Sequence, residues 1–168
     1  DRQQTRYSEI PGLPALRGAL AGRFDGCSAD RVVLFNGSKQ ALYTAFQVIC
    51  NPGDQVIIPL HCWVSFSAQV RLAGAEPVFV PTLDHQLDLD AITAAVNDRT
   101  KAILINSPNN HTGAVYPARD LARIAELAAS RDLFLVADEA YDFFVYDGHP
   151  CASLFDFTSI RDRLIVTR

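Results

Sequence analysis

Two acidic residues side by side at the end of an apolar run are the first in this sequence that could do chemistry: Asp138-Glu139 in "LFLVADEAYDFFVYDG", Leu133 to Gly148. A carboxylate at the carboxyl end of a strand can hold Mg²⁺ for a nucleoside triphosphate, or it can be aimed directly at a bound organic ligand. The first use needs a phosphate cradle upstream, a glycine-rich loop ending in Gly-Lys-Ser/Thr. The chain has two lysines, Lys39 and Lys101. Lys39 is followed by Gln40 where the hydroxyl belongs, residues 32 to 36 contain no glycine, and Lys101 opens an apolar run. The triphosphatase use therefore lacks its first half, and the GxGxxG dinucleotide fingerprint is absent too. "FNGSKQAL" still suits a single phosphate monoester. An apolar run leads into Asn36-Gly37-Ser38 and then into a helical pattern, so backbone N–H groups, a hydroxyl and the positive end of a helix converge. An ordinary helix cap by Asn36 or Ser38 accounts for the same residues.

These groups need elements to hold them. Apolar runs of strand length alternate with segments of helical period, the pattern of a mostly parallel sheet covered by helices. Strands are expected at "RVVLF" (Arg31 to Phe35), "QVIIPL", "EPVFVP", "KAILIN" (Lys101 to Asn106), "LFLVAD" and "LIVT". Helices are expected at "KQALYTAFQVI" with Leu42, Phe46 and Ile49 on one face, at "VSFSAQVRLAG", and through "AITAAV" behind a cap at Asp88 or Asp90. Another is expected at "PARDLARIAELAASR" with Leu121, Ile124, Ala125 and Leu127 or Ala128 inward. "NPGD" turns the chain after the first helix. "SPNNHTGAVYP" is too rich in Pro, Asn and Gly for regular structure, and its place just after a strand makes it face the ligand edge of an open α/β sheet.

Composition narrows the partners. With 168 residues and 49% hydrophobic content the chain can bury a full core as one domain. A net charge of -4 without a long basic block argues against an electrostatic grip on nucleic acid or acidic lipid. No segment approaches the roughly 18 apolar residues of a membrane span, and the polar opening lacks a signal peptide's apolar stretch, so a soluble cytoplasmic protein is expected. Cys27, Cys50, Cys62 and Cys151 are widely spaced, which points to buried reduced thiols, and the four histidines are scattered, so no metal site is expected. The final "RLIVTR" reads as a core strand, so the chain is read as a fragment of something larger.

In order along the chain, "RYSEIPGLPALRGAL", "NGSKQAL", "HCWVSF", "NSPNNHTGAVYP" and "VADEAYDFFVYDG" resemble five segments of the fold-type-I pyridoxal-phosphate enzymes, specifically the class I/II aminotransferase family. The resemblance implies a three-layer α/β/α fold, residues 1–168 being part of the large cofactor-binding domain of an aspartate-aminotransferase-like protein. It implies pyridoxal 5'-phosphate as cofactor, with amino acids and 2-oxo acids as substrates. Asp138 matches the carboxylate that keeps the cofactor's ring nitrogen protonated, which makes the ring an electron acceptor. Tyr141 and Asn110 match the pair that hydrogen-bonds the cofactor's phenolic oxygen. Trp63, the only tryptophan, matches the aromatic that stacks on the ring. Gly37, Ser38 and Lys39 would hold the phosphate, Lys39 through its backbone N–H with its side chain solvated. Tyr7 resembles the tyrosine that reaches a neighbour's phosphate across a homodimer.

Each residue also has a plainer account: a satisfied strand-end carboxylate for Asp138, a half-buried aromatic for Tyr141, a turn residue for Asn110, core packing for Trp63 and an exposed aromatic for Tyr7. Glu139 matches no chemical role. His111 stands where the family usually has Pro, which puts any backbone geometry tied to that proline in doubt; a tolerated substitution is the plain reading. The family's Schiff-base lysine normally lies three or four positions beyond the residue matching Arg168, so no catalytic residue is expected within the chain. Phe35, Trp63, Tyr141 and Phe143 to Phe144 are expected mostly in the core. Amino transfer is the expected reaction. Another reaction of the same cofactor (elimination, decarboxylation, racemisation or oxidation) and an aminotransferase-like sensor of a transcription regulator are the alternatives.

Overall fold

Residue-by-residue alternation along three short apolar runs sets the two faces of the central sheet. Val56 and Ile58 pack on one side with Ala102, Leu104 and Val136. Ile57 packs on the other with Ile103, Ile105, Leu135 and Ala137. Because successive strand side chains point to opposite faces, a run apolar at every position must be covered on both. In the computed structural model, which describes residues 7–168, that is the outcome. The chain divides into two compact units after Asn36.

The larger unit contains β1 (Gln55–Pro59), β2 (Glu76–Val80), a short β3–β4 hairpin (Thr82–Leu83 and Gln86–Leu87), β5 (Thr100–Asn106), β6 (Phe134–Asp138) and β7 (Leu164–Thr167). Five of these form one sheet in the order β2-β1-β5-β6-β7, every neighbouring pair parallel. With α1 reserved for the smaller unit, α2 (Ser38–Ile49) and α3 (Val64–Leu72) cover one face, through Leu42, Phe46, Ile49, Phe66 and Val70. The other face is covered by α4 (Leu89–Ala95) and α5 (Ala118–Ser130), through Ile92, Leu121, Ile124, Ala125 and Ala128. The Asp88 carboxylate caps α4 by accepting from the Ala91 N–H at 2.9 Å. Burying each large aliphatic side chain contributes about 1.5–3 kcal/mol, so the three-layer arrangement follows from the pattern.

Two features of this sheet matter for function. From β1 the chain moves outward to β2, then crosses back to β5 on the far side of β1, so the sheet has a topological switch point between β1 and β5. The register also brings Asn106, Asp138 and Thr167 into one row across the carboxyl ends of β5, β6 and β7.

The smaller unit holds α1 (Pro14–Ala21), with Pro at the helix start, and a 3₁₀ turn over Ala29–Arg31. Gly12 has φ +104°, and a Cβ there would lie 2.5–2.8 Å from Leu34 side-chain atoms, so only glycine lets the two segments pass. The strand expected over Arg31 to Phe35 is absent: Arg31 ends the 3₁₀ turn and residues 32–35 join no ladder. The Leu34 N–H donates to the Pro11 carbonyl at 2.9 Å, and Arg17 Nε donates to the Val32 carbonyl at 2.8 Å. A proline and a side chain thus serve this segment, and neither can propagate a ladder.

The thiols also differ from expectation. All four cysteines are free, but only Cys50 is buried; Cys27 and Cys62 are half-buried and Cys151 is exposed. Burial pushes the Cys50 thiol up to about 11. Phe143 and Phe144, expected in the core, are exposed, as are Tyr141 and Phe35.

Candidate active site

The row Asn106-Asp138-Thr167 is where buried β5 and β6 and half-buried edge strand β7 run out of ladder partners, and the side chains there take over the hydrogen bonding. Asn106, buried, donates through Nδ2 to the Asp138 carbonyl at 3.0 Å and accepts from the Asn110 N–H through Oδ1 at 2.9 Å. It therefore ties the loop after β5 to the end of β6. Asp138 is 6% exposed. Its Oδ1 accepts from the Ala140 N–H and the Thr167 hydroxyl, each at 3.3 Å. Oδ2 is left to accept from a ligand, and among the described residues no cation pairs with Asp138. Burial raises its pKa; the Ala140 and Thr167 bonds oppose this, and the Glu139 charge adds to it. A carboxylate in this state favours an incoming cationic N–H.

Across the row, Asn110 Nδ2 donates to the Tyr141 hydroxyl oxygen at 2.7 Å. The loop after β5 and the turn after β6 thus place two donors at one point, the Tyr141 O–H being directed onward because its oxygen is already an acceptor. Asn109, buried next to exposed Asn110, holds the loop's shape: its Oδ1 accepts from the His111 N–H (3.0 Å) and from the Thr112 N–H and hydroxyl (both 3.1 Å).

The same loop bridges the switch point. Asn109 Nδ2 donates to the His61 carbonyl at 2.9 Å, and His111 Nε2 lies 2.9 Å from the Cys62 carbonyl. Both partners follow β1 and immediately precede Trp63, which is the N-cap residue of α3. The exposed His111 ring is thus held by a specific contact. The cis peptides of the described chain fall at Leu60-His61 and Ser107-Pro108, not at Asn110-His111. Trp63 is half-buried and packs against the core cluster, edge-on to Phe66 with ring centroids 5.5 Å apart, and has Lys39 Nζ 5.0 Å from its ring centroid. The Lys39 side chain is exposed, as expected, but lies over an aromatic face.

Lys39 belongs to the turn that opens α2. Gly37 takes the N-cap position with φ +82° and ψ 166°, a conformation that is essentially glycine's alone. It has no side chain with which to cap the helix, and the N-cap position makes no side-chain cap bond. A Cβ on Gly37 would meet nothing within 4 Å. Open space in front of a helix N-terminus fits a phosphate. Gln69, buried in α3, donates to the Lys39 carbonyl at 3.0 Å and fixes this turn against the helix that follows Trp63.

Gly37, Ser38, Lys39, Trp63, Asn110, Asp138 and Tyr141 all lie in the larger unit, linked to one another by these contacts along the carboxyl edge of the sheet. Tyr7 is exposed and lies in the smaller unit. Lys101 is the second residue of β5, at the opposite end of the strand, about 16 Å of strand from Asn106 at 3.3 Å per residue, with Nζ 5.7 Å from the Phe134 ring centroid. No group of three His, Cys, Asp or Glu that could hold a metal occurs among the described residues.

Contributors with no assigned role in the sequence include Asn106, Asn109, Gln69, Thr167, Glu139 and Arg168. A polar residue at the end of a buried strand was a readable signal for Asn106. Glu139 is 5% exposed, accepts from Ser153, Leu154 and Arg168, and is no part of the ligand edge.

The comparisons agree with this geometry. The profile of the family described as aminotransferase class I and II matches residues 1–168. A probable aspartate/prephenate aminotransferase of Thermus aquaticus is 42% identical over 153 residues, covering 86% of this chain and 40% of its own length. Among solved structures, the Thermus thermophilus aspartate aminotransferase with maleate superposes with a TM-score of 0.90 at 37% identity, covering 96% of this chain and 44% of that one. The aromatic aminotransferase of Pyrococcus horikoshii superposes with a TM-score of 0.92 at 33% identity, covering 96% and 46%. The chain spans about two fifths of the length of the curated relatives it matches. By its sequence match along the full chain and by its fold, it belongs to the class I and II aminotransferases.

Proposed function

We propose that the protein containing this chain transfers an amino group between an amino acid and a 2-oxo acid with pyridoxal 5'-phosphate, and that residues 1–168 are part of its large cofactor-binding domain. One observation carries the reading: a buried carboxylate with no cationic partner among the described residues, a pair of converging donors, a half-buried tryptophan and a helix start with glycine at its N-cap share one sheet edge in a member of this family. The names of the relatives support amino transfer over the other reactions of the same cofactor.

When bound, the cofactor supplies an electron sink for bonds at the substrate's Cα. The chain's own residues bind and orient it. Asp138 would hold a proton at the ring nitrogen through Oδ2, and pairing with that cation removes the burial penalty on its charge. Asn110 and Tyr141 would donate to the phenolic oxygen and favour its ionised form. Trp63 would cover a ring face and keep water from it. The N–H groups that follow Gly37, the Ser38 hydroxyl and the positive end of α2 would hold the phosphate. The lysine that would bond the cofactor and move the proton would lie outside residues 1–168; the position of Lys101 near the start of β5, at the other end of the strand from Asn106, and of Lys39 Nζ over the Trp63 ring supports this. A cytoplasmic homodimer in which Tyr7 reaches the partner's phosphate completes the reading. Among the described residues no helix is long and apolar enough to cross a membrane.

The test is absorbance of the full-length protein titrated with pyridoxal phosphate, followed by an amino acid and then a 2-oxo acid. Saturable uptake, loss of the cofactor's visible band with the amino acid and its return with the 2-oxo acid are expected. Uptake without that cycle would put the protein among the other reactions of the cofactor, and no uptake would remove the cofactor altogether.

A further inference from the structure

Glu139 points away from the ligand edge, yet it is the most heavily bonded carboxylate described in this chain. The Ser153 hydroxyl lies 2.9 Å from both of its oxygens, the Leu154 N–H donates to Oε1 at 2.9 Å, and Arg168 donates to Oε2 through Nε at 3.0 Å and Nη2 at 2.6 Å. Arg168 Nη1 reaches on to Asp142 Oδ2 at 2.9 Å. One guanidinium therefore grips both ends of the turn 139–142, the turn that carries Tyr141. The backbone adds a bond in the same place, from the Glu139 N–H to the Thr167 carbonyl at 2.9 Å. Thr167, one residue before Arg168, is the hydroxyl donor to Asp138. The exit of β7 is thus bonded to each of Asp138, Glu139 and Asp142.

Glu139 is buried and the Arg168 side chain only partly covered, at 27% exposure, so desolvation of the carboxylate offsets much of their attraction and the pair is a poor way to gain stability. What a forked, charge-assisted contact provides is geometry. We propose that Glu139 and Arg168 are positioning residues: their ion pair locks the turn after β6 to the end of β7 and so sets where Asp138 and Tyr141 stand toward the cofactor. The inference rests on the functional reading above. Arg168 also balances Glu139, whose charge otherwise acts on the neighbouring Asp138. The charged and titratable groups around the pair are Asp138, Tyr141, Asp142 and Cys151, the last feeling Glu139, Asp142 and Arg168 together.

The test uses the full-length protein and pyridoxal phosphate itself, with Glu139→Gln, Arg168→Met, Arg168→Lys, the Glu139→Gln/Arg168→Met double variant, and Asp142→Asn. Asp142→Asn loosens Arg168 without stranding the buried Glu139 charge, so it tests the idea even where another variant does not fold. Cofactor affinity, the pH midpoint of the bound cofactor's visible absorbance, and the melting temperature of the apoprotein are measured for each. Glu139→Gln and Arg168→Met should each weaken affinity about tenfold and move the midpoint, and the double variant should be no worse than the weaker single one, as expected of residues acting as a unit. Arg168→Lys and Asp142→Asn should move both readouts in the same direction by less. Unchanged affinity and midpoint in folded variants, with only the melting temperature lowered, would show the pair to be packing alone and overturn the proposal. Additive losses in the double variant would overturn it as well. Failure of the wild-type protein to take up the cofactor would instead bring down the functional reading, and the positioning role with it.

Discussion

Replacing Gly37 with alanine separates the phosphate turn from every plainer account of "NGSKQAL". Gly37 sits at φ +82° and ψ 166°, where an L-residue costs about 1–3 kcal/mol. A Cβ there meets no atom within 4 Å, so no clash adds to that figure. The cost can appear in two places. If the turn keeps its shape without ligand, the apoprotein loses about 1–3 kcal/mol of stability and affinity is unchanged. If the turn relaxes when empty and is forced back by the phosphate, stability is kept and affinity falls by roughly 5- to 150-fold, the same energy at 1.4 kcal/mol per factor of ten. Intermediate behaviour divides the sum. Urea denaturation of the full-length apoprotein and a pyridoxal phosphate titration, run on wild type and Gly37→Ala, measure both parts. Two losses that together fall below about 0.5 kcal/mol, the scatter of a neutral surface substitution, would refute the strained-turn reasoning.

Asp138 provides a pH test. Its folded-state pKa is raised by burial, so its contribution to stability is fully present below the unfolded value of about 3.9 and is lost as pH rises through the folded value. Apo Asp138→Asn should therefore be more stable than wild type at neutral pH, with the advantage shrinking in acid, while its cofactor affinity falls; thermal melts from pH 3 to 8 check the first and titration the second. Tyr141→Phe removes the acceptor of the 2.7 Å bond from Asn110 at an exposed position, so stability should change by no more than about 1.5 kcal/mol while the pH midpoint of the bound cofactor's absorbance rises. Asn109→Ala leaves the His61 carbonyl and three donors of the loop without their partner, and chemical denaturation should show a loss of at least about 1–3 kcal/mol, well beyond that of His111→Ala. Thiol labelling at pH 8 should reach exposed Cys151 and half-buried Cys27 long before Cys50, whose thiol burial pushes up to about 11.

The elements that position the site were legible where one property decided them. "VII", "AILI" and "FLVA" are apolar at successive positions, which demands cover on both faces, and β1, β5 and β6 occupy those places. "VVLF" has the same composition and forms no strand, because strand formation depends on a partner edge that composition does not encode. The β3–β4 hairpin is two residues a side and too short to leave a period. Asp138, Asn110 and Tyr141 could be named from motifs in register. Asn106 and Asn109 shape the same loop, but which of several asparagines turns inward is set by the strand end and not by spacing. Glu139 was the least legible: its partners, Ser153 and Arg168, come from segments 14 and 29 residues away, Arg168 brought in by the parallel register of β6 and β7 and Ser153 by the 3₁₀ turn that it caps.

The central claim is that this sheet edge holds pyridoxal phosphate while the bonding lysine lies elsewhere. The most direct measurement is the intact mass and peptide map of the full-length protein after incubation with pyridoxal phosphate and borohydride reduction, which makes the lysine bond permanent. The expected result is one cofactor per chain, attached to a lysine outside residues 1–168, and loss of that adduct in Asp138→Ala. Attachment at Lys39 or Lys101, or no specific adduct on the wild-type protein, would contradict the account.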